Sequence, residues 1–284
     1  MRERQRTGYT RVPFPALRVP IVDSLRAARR KPLMSALIEV DITRPLLALR
    51  ARERRTGERL SLTAFIIYCV ARAVAEYPMT QAVWQGRKRL LLFDDVDVCA
   101  PIEHATGVEK LATPYVIRRA NRKPLRAIHE EIRAAQRAGV GSAWEMRVRR
   151  LYPHLPTFAR LALWRAFNHF PRLRQRIAGA VMVTAVGMFG SGAAWGFSPI
   201  SEYTLQVIVG GIVERLALAE GRVEVHEYLC LTLSADHEIL DGAPCARFVR
   251  RLSELLSAGA GLEEAGVSLA TCAPRALALQ NAPE

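Results

Sequence analysis

The stretch SADHEILDGAPCARF, residues 234–248, decides how the rest of the chain is read. It closes an apolar alternating run, HEYLCLTLSAD (226–236), whose period of two marks a strand. Asp241-Gly242 is a turn signal, and CARFVRRLSELL (245–256) then recurs at helical spacing. His237 thus stands at the exit of a strand, where a rigid support presents a side chain well. A single histidine in such a place serves structure as readily as catalysis, and the pattern alone leaves both readings open.

Outward from this point, AVMVTAV (180–186) and TLQVIVGGIV (204–213) read as strands, as does MSALIEVDIT (34–43) with Ile38, Val40 and Ile42 on one face. Residues 89–103 hold strand-like runs broken at Asp94 and Asp95, and another strand is expected near 113–119. Helices are expected over 21–30, 44–54, 62–76, 124–137 and 157–167, the last with Thr157 as its N-cap. The helix over 62–76 is strongly apolar, and Pro78 stops it. Residues 1–20, with Pro13, Pro15 and Pro20, read as an extended arm. Beyond Leu256 the tail 257–284 is rich in Ala, Gly and Leu and is expected to be only partly ordered. No repeat or linker divides the chain, so residues 1–256 form one α/β domain, an α+β two-layer fold with a mixed sheet and covering helices.

The composition fits a folded globular chain, 50% hydrophobic and 24% charged over 284 residues. The formal charge is +14, and only four of the 41 basic residues are lysines. That balance suits nucleic acid, an anionic membrane or a phosphate-bearing ligand, and it also follows from a genome that favours arginine codons. No zinc-finger spacing, RNA-binding aromatic signature or basic zipper occurs, so nucleic acid is set aside. Cys69, Cys99, Cys230, Cys245 and Cys272 form no CxxC pair and are odd in number. With a basic, polar first dozen residues, they point to the reducing cytoplasm. His104, His129, His154, His169 and His226 lack metal-ligand spacing, and no metal is expected. The uncharged run 177–201 is long enough to span a bilayer, but its five glycines fit a buried strand and tight loop better.

DHEILDGAPCARFVRRLSELL (236–256) resembles the DHRxxDGAxxAxFLxxLxxLL signature of the catalytic domain of dihydrolipoyl acyltransferases, the acyltransferases of 2-oxoacid dehydrogenase complexes. MVTAVGMFG (182–190) is similar to that family's FTISNLGxxG, and SPISEYTLQVIVGGIVERL (198–216) to its TPIINxPQxAILGVGxI. The helix at 60–84 and the strand-loop-strand-helix at 96–132 also resemble family segments, in the same order. The resemblance implies a chloramphenicol acetyltransferase-like fold and a CoA-dependent acyl transfer to a thiol or hydroxyl acceptor. By the same resemblance His237 is the general base, Thr184 the hydroxyl that supports the oxyanion, and Asp241 a largely structural polar residue holding the histidine loop. It further implies a homotrimer or higher oligomer, with His237 and Thr184 meeting across subunits, and acyl-CoA as substrate. Gly187 and Gly242 are expected to allow close backbone turns.

Three departures bear on the carry-over. Glu238 stands where the family usually has Arg, reversing the charge beside His237. No lipoyl-lysine hairpin occurs, so a lipoyl or other acyl carrier is expected to be supplied by a separate protein. The segment 140–178 reads as an added helical insertion: no carboxylate occurs between Met146 and Ser201, and Trp144, Tyr152, Phe158, Trp164, Phe167 and Phe170 interleave with arginines over 144–176. That segment fits peripheral membrane contact, a lid over a long acyl chain, a path for CoA phosphates, or a helical pair with its arginines in water. A non-catalytic trimeric scaffold or membrane-associated interaction protein is the alternative from another class.

Overall fold

The computed structural model describes residues 8–29, 31–106, 109–138, 151–186, 192–219, 221–270 and 275–276. In chain order these form α1 (Val19–Ala28), β1 (Leu33–Asp41), α2 (Thr43–Thr56), α3 (Leu62–Glu76), the hairpin β2 (Val83–Gln85) and β3 (Arg89–Leu91), β4 (Val98–Thr106), β5 (Glu109–Ile117) and α4 (Leu125–Ala138). There follow α5 (Thr157–His169), α6 (Pro171–Ala178), β6 (Val181–Ala185), β7 (Leu205–Ala219), β8 (Arg222–Asp236), α7 (Gly242–Ser257) and the short β9 (Arg275–Ala276).

The main sheet runs β1-β8-β7-β6-β4-β5, with β9 added to β8. Pairs β4–β6 and β6–β7 are parallel and the others antiparallel, so the sheet is mixed, as the sequence pattern implies. Period-two alternation sorts its residues by face. Val181 and Val183, Val207 and Val209, and Leu229, Leu231 and Leu233 join the core under the helices. Their neighbours Thr184, Ile208, Thr232, Ser234 and Asp236 therefore take the opposite face.

α3 is the centre of the helical layer. A helix apolar all round is one that is buried all round, and Phe65, Ile66, Ile67, Cys69 and Val70 are fully covered. Ser61 caps it, its Oγ accepting from the Ala64 N–H at 3.3 Å, while the Ser61 N–H donates to His129 Nδ1 at 3.1 Å. Truncating Phe65 to alanine would cost about 3–5 kcal/mol by the usual scale for buried aromatics.

Four expectations change. The arm ends near residue 15: Pro20 sits in the first turn of α1, where a missing N–H costs nothing. Thr157 is the first helical residue of α5 rather than its N-cap, which is Pro156. Gly242 has ordinary backbone angles and open space where a Cβ would go, so it is the unstrained first residue of α7 rather than a forced turn; Gly187 lies outside the described residues. Past Leu256 the chain keeps packing. Gly259, Gly261 and Gly266 adopt positive φ, and the tight turns they allow bring Leu262, Ala265 and Val267 into the core.

The uncharged run 177–201 enters the sheet as β6, and no helix among the described residues is long and apolar enough to cross a membrane. Cys69, Cys99, Cys230 and Cys245 are free thiols, and Cys272 lies outside the described residues. Burial pushes the Cys99 thiol up to about 11, so it is a packed side chain rather than a nucleophile.

Candidate active site

β8 delivers His237 to the end of the sheet, and backbone bonds fix it there. The His237 N–H donates to the Pro32 carbonyl at 2.8 Å, tying it to the start of β1. One residue earlier, the Asp236 N–H donates to Thr204 O at 2.9 Å, and the Asp236 carbonyl receives the N–H groups of Ile239 and Leu240. The backbone is thus clamped on both sides while the imidazole stays 48% exposed. A fixed base with an open face is what proton transfer to an incoming group requires.

Asp236 and Asp241 stand on either side of His237 at very different depths. The Asp241 carboxylate is 89% exposed and lies 3.9 Å from His237 Nδ1, too far for a hydrogen bond. Asp236 is fully buried; its Oδ1 accepts the Glu238 N–H at 3.1 Å, and Lys31 Nζ stands 3.1 Å from its Oδ2. Burial, and then the charge of nearby Arg174, hold the Lys31 pKa below its ordinary value against the pull of Asp236. Lys31 also donates to the Glu202 carbonyl, as does the buried Arg174, which lies over the Tyr203 ring. The sequence reading missed Lys31 and Asp236. A carboxylate at the buried end of an otherwise apolar strand was the available signal for Asp236. Glu238 is exposed; besides that N–H, its carboxylate adds a small upward pull on the Lys31 pKa.

Thr184 lies elsewhere on the sheet. It pairs with Ile208, and Ile208 pairs with Thr232, five residues before His237 on β8. Two strand spacings of ~4.8 Å and five residues at ~3.3 Å separate the two α-carbons by roughly 19 Å within one chain. On the same face, Gln206 Oε1 and Thr232 Oγ1 are buried without a hydrogen-bond partner among the described residues. Next to the histidine loop, Lys31, Trp84, Trp164, Arg174, Glu202 and Ile239 help line a pocket of about 190 Å³. A wider cleft of about 570 Å³ lies between Phe93, Asp97, Arg118, Arg172, Gln175 and Arg176.

The family described as 2-oxoacid dehydrogenases acyltransferase (catalytic domain) matches residues 6–144 and 171–262, leaving 145–170 outside the match. The lipoamide acyltransferase component of the branched-chain α-keto acid dehydrogenase complex of Bacillus subtilis is 24% identical over 255 residues, covering 88% of this chain and 52% of the relative. The chain spans about half the length of the curated relatives it matches. Among solved structures, a probable dihydrolipoamide acetyltransferase from Listeria monocytogenes superposes with a TM-score of 0.64 at 22% identity, over 88% of this chain and 95% of that one. A dihydrolipoamide acetyltransferase from Azotobacter vinelandii, studied for a serine, a histidine and an asparagine in its catalytic mechanism, gives 0.63 at 19% identity, over 89% and 93%. With most of the chain matched in two blocks that hold both β6 and the β8–α7 turn, this protein belongs to the 2-oxoacid dehydrogenase acyltransferase catalytic-domain family.

Proposed function

We propose that this domain transfers an acyl group between coenzyme A and a thiol acceptor, a lipoyl thiol being the acceptor that the names of its relatives point to. His237 takes the proton from the attacking thiol, and the thiolate adds to the thioester carbonyl. The oxyanion of the tetrahedral intermediate receives a hydrogen bond from the Thr184 hydroxyl. Collapse expels the second thiolate, which recovers the proton from the imidazolium, so the exchange is balanced without any further reactant. The observation that carries this reading is the clamped backbone and half-exposed ring of His237 at the end of β8.

A single chain holds the two groups too far apart for one carbonyl to touch both, so the site forms where His237 of one copy meets Thr184 of another. The relative from Azotobacter vinelandii was studied for a serine, a histidine and an asparagine; Thr184 and His237 likewise offer a hydroxyl and an imidazole, whereas Asp241 is a carboxylate and not an amide.

The test is thioester turnover with a panel of acyl-CoAs and dihydrolipoamide or a simple alcohol as acceptor. His237→Ala should lower kcat by about 10²–10⁴-fold and Thr184→Ala by about 10²–10³-fold. Wild-type protein that assembles but transfers no acyl group with any pair would sink the proposal.

A further inference from the structure

We propose that the insertion docks this domain onto an anionic membrane surface through the outer face of α5 and α6. The inference does not depend on the acyl-transfer reading. It begins from how firmly the insertion is fastened. Arg160 Nε donates to Asp23 Oδ2 at 2.8 Å, the Tyr152 hydroxyl donates to the same oxygen at 3.1 Å, and Trp164 Nε1 donates to Tyr152 at 2.8 Å. Asp23 is fully buried on α1, so this cluster anchors the inner side of α5 to the body of the fold.

Among the described residues the outer side carries no burial. No residue of α5 is buried, and Phe158 is 76% exposed, with Leu163 and Phe170 also exposed. On α6, Leu173 and Ile177 are exposed one turn apart, and Arg172 and Arg176 form a parallel row beside them. Arg165 adds a third guanidinium on α5, and among the described residues none of the three makes an ion pair. Large apolar side chains flanked by free arginines, with no carboxylate from 146 to 201, are the composition of an interfacial surface.

The charge pattern selects the occupant. A second copy docking through the same patch would bring arginine against arginine, which repels. A bilayer with acidic headgroups offers phosphates to the guanidiniums and an apolar boundary to the phenylalanines. Residues 145–170, which carry α5, fall outside the family match, whereas α6 lies within it, so it is the α5 part of this face that the family fold does not call for.

The experiment is co-sedimentation of the full chain with phosphatidylcholine vesicles, with and without phosphatidylglycerol, alongside light scattering for particle mass and thermal melts for folding. The wild type should sediment with the acidic vesicles and not the neutral ones, and salt should weaken the binding. Arg172→Gln/Arg176→Gln should weaken partitioning roughly 25-fold, about fivefold per arginine near the surface, and Phe158→Ser/Phe170→Ser should abolish it. Arg250→Gln, a change on α7, should bind as the wild type does. The proposal is overturned if the wild type stays in solution, if the insertion variants bind like the wild type, or if Arg250→Gln loses as much as the arginine pair. A fall in particle mass with the phenylalanine variants would instead make this face a subunit contact.

Discussion

Thr184 and His237 stand at different places on the sheet: Thr184 is level with Thr232, two strands away and five residues short of the histidine. Both residues lie in the block 171–262 of the family match. In the closed ring that the proposed function requires, each copy would offer a histidine to one neighbour and a threonine to the other.

Complementation follows from that arrangement. His237→Ala and Thr184→Ala chains should each be nearly inactive alone. Co-expressed in random rings, about one junction in four pairs an intact His237 with an intact Thr184, so about a quarter of wild-type turnover should return. Turnover no higher than that of the better single variant would mean that the two groups do not meet between copies.

The Lys31–Asp236 pair should be costly to halve. Asp236 is fully buried, so Lys31→Met strands its carboxylate, and the loss should be about 3 kcal/mol, the low end for buried pairs because the Lys31 side chain keeps 28% exposure. Lys31→Met/Asp236→Asn should recover part of it by removing the orphaned charge. Urea unfolding measures both. A Lys31→Met midpoint equal to that of the wild type would show that the pair does not hold the histidine loop.

What the sequence made legible here is what local pattern encodes. The apolar period of α3, the alternation of β7 and β8, and the turn into α7 all depend on residues close together in the chain. Thr184 was visible only through the resemblance of its strand to the family, because one hydroxyl on a strand carries no local mark. Lys31 meets Asp236 from the far end of the domain, and no periodicity announces such a partner. Asp241 stands out by its place in the turn, whereas the fully buried carboxylate of Asp236 shows its partners only once the chain is folded. The glycines after Leu256 looked like looseness, whereas their positive φ makes the turns that pack Leu262 and Val267.

His226 should make stability depend on pH. Its Nδ1 lies 2.7 Å from Asp41 and its Nε2 3.2 Å from Glu224. The Asp41 bond, opposed by burial and aided by Glu224, raises its pKa. A raised folded pKa means the stabilisation is complete below the unfolded value of about 6.5 and is lost as pH rises through the folded one. Tm should therefore fall across that interval in the wild type, and His226→Gln should flatten the fall. Parallel curves for the two proteins would rule out His226 as its source.

Gly261→Ala tests the packing beyond Leu256. Gly261 has φ +79°, and a Cβ there would lie 2.5 Å from Tyr68 Cε1 on the buried side of α3. Tyr68 has little room to yield, since it is 4% exposed with the Arg72 guanidinium 4.9 Å from its ring centroid. Overpacking and left-handed strain together should cost about 2–4 kcal/mol. Gly57→Ala is the comparison, because Gly57 has a similar φ of +70° and nothing within 4 Å of its Cβ position. There only the backbone term of about 1 kcal/mol should appear. Equal losses at the two sites would mean that the segment after α7 does not press on α3, and the core would then end at Leu256.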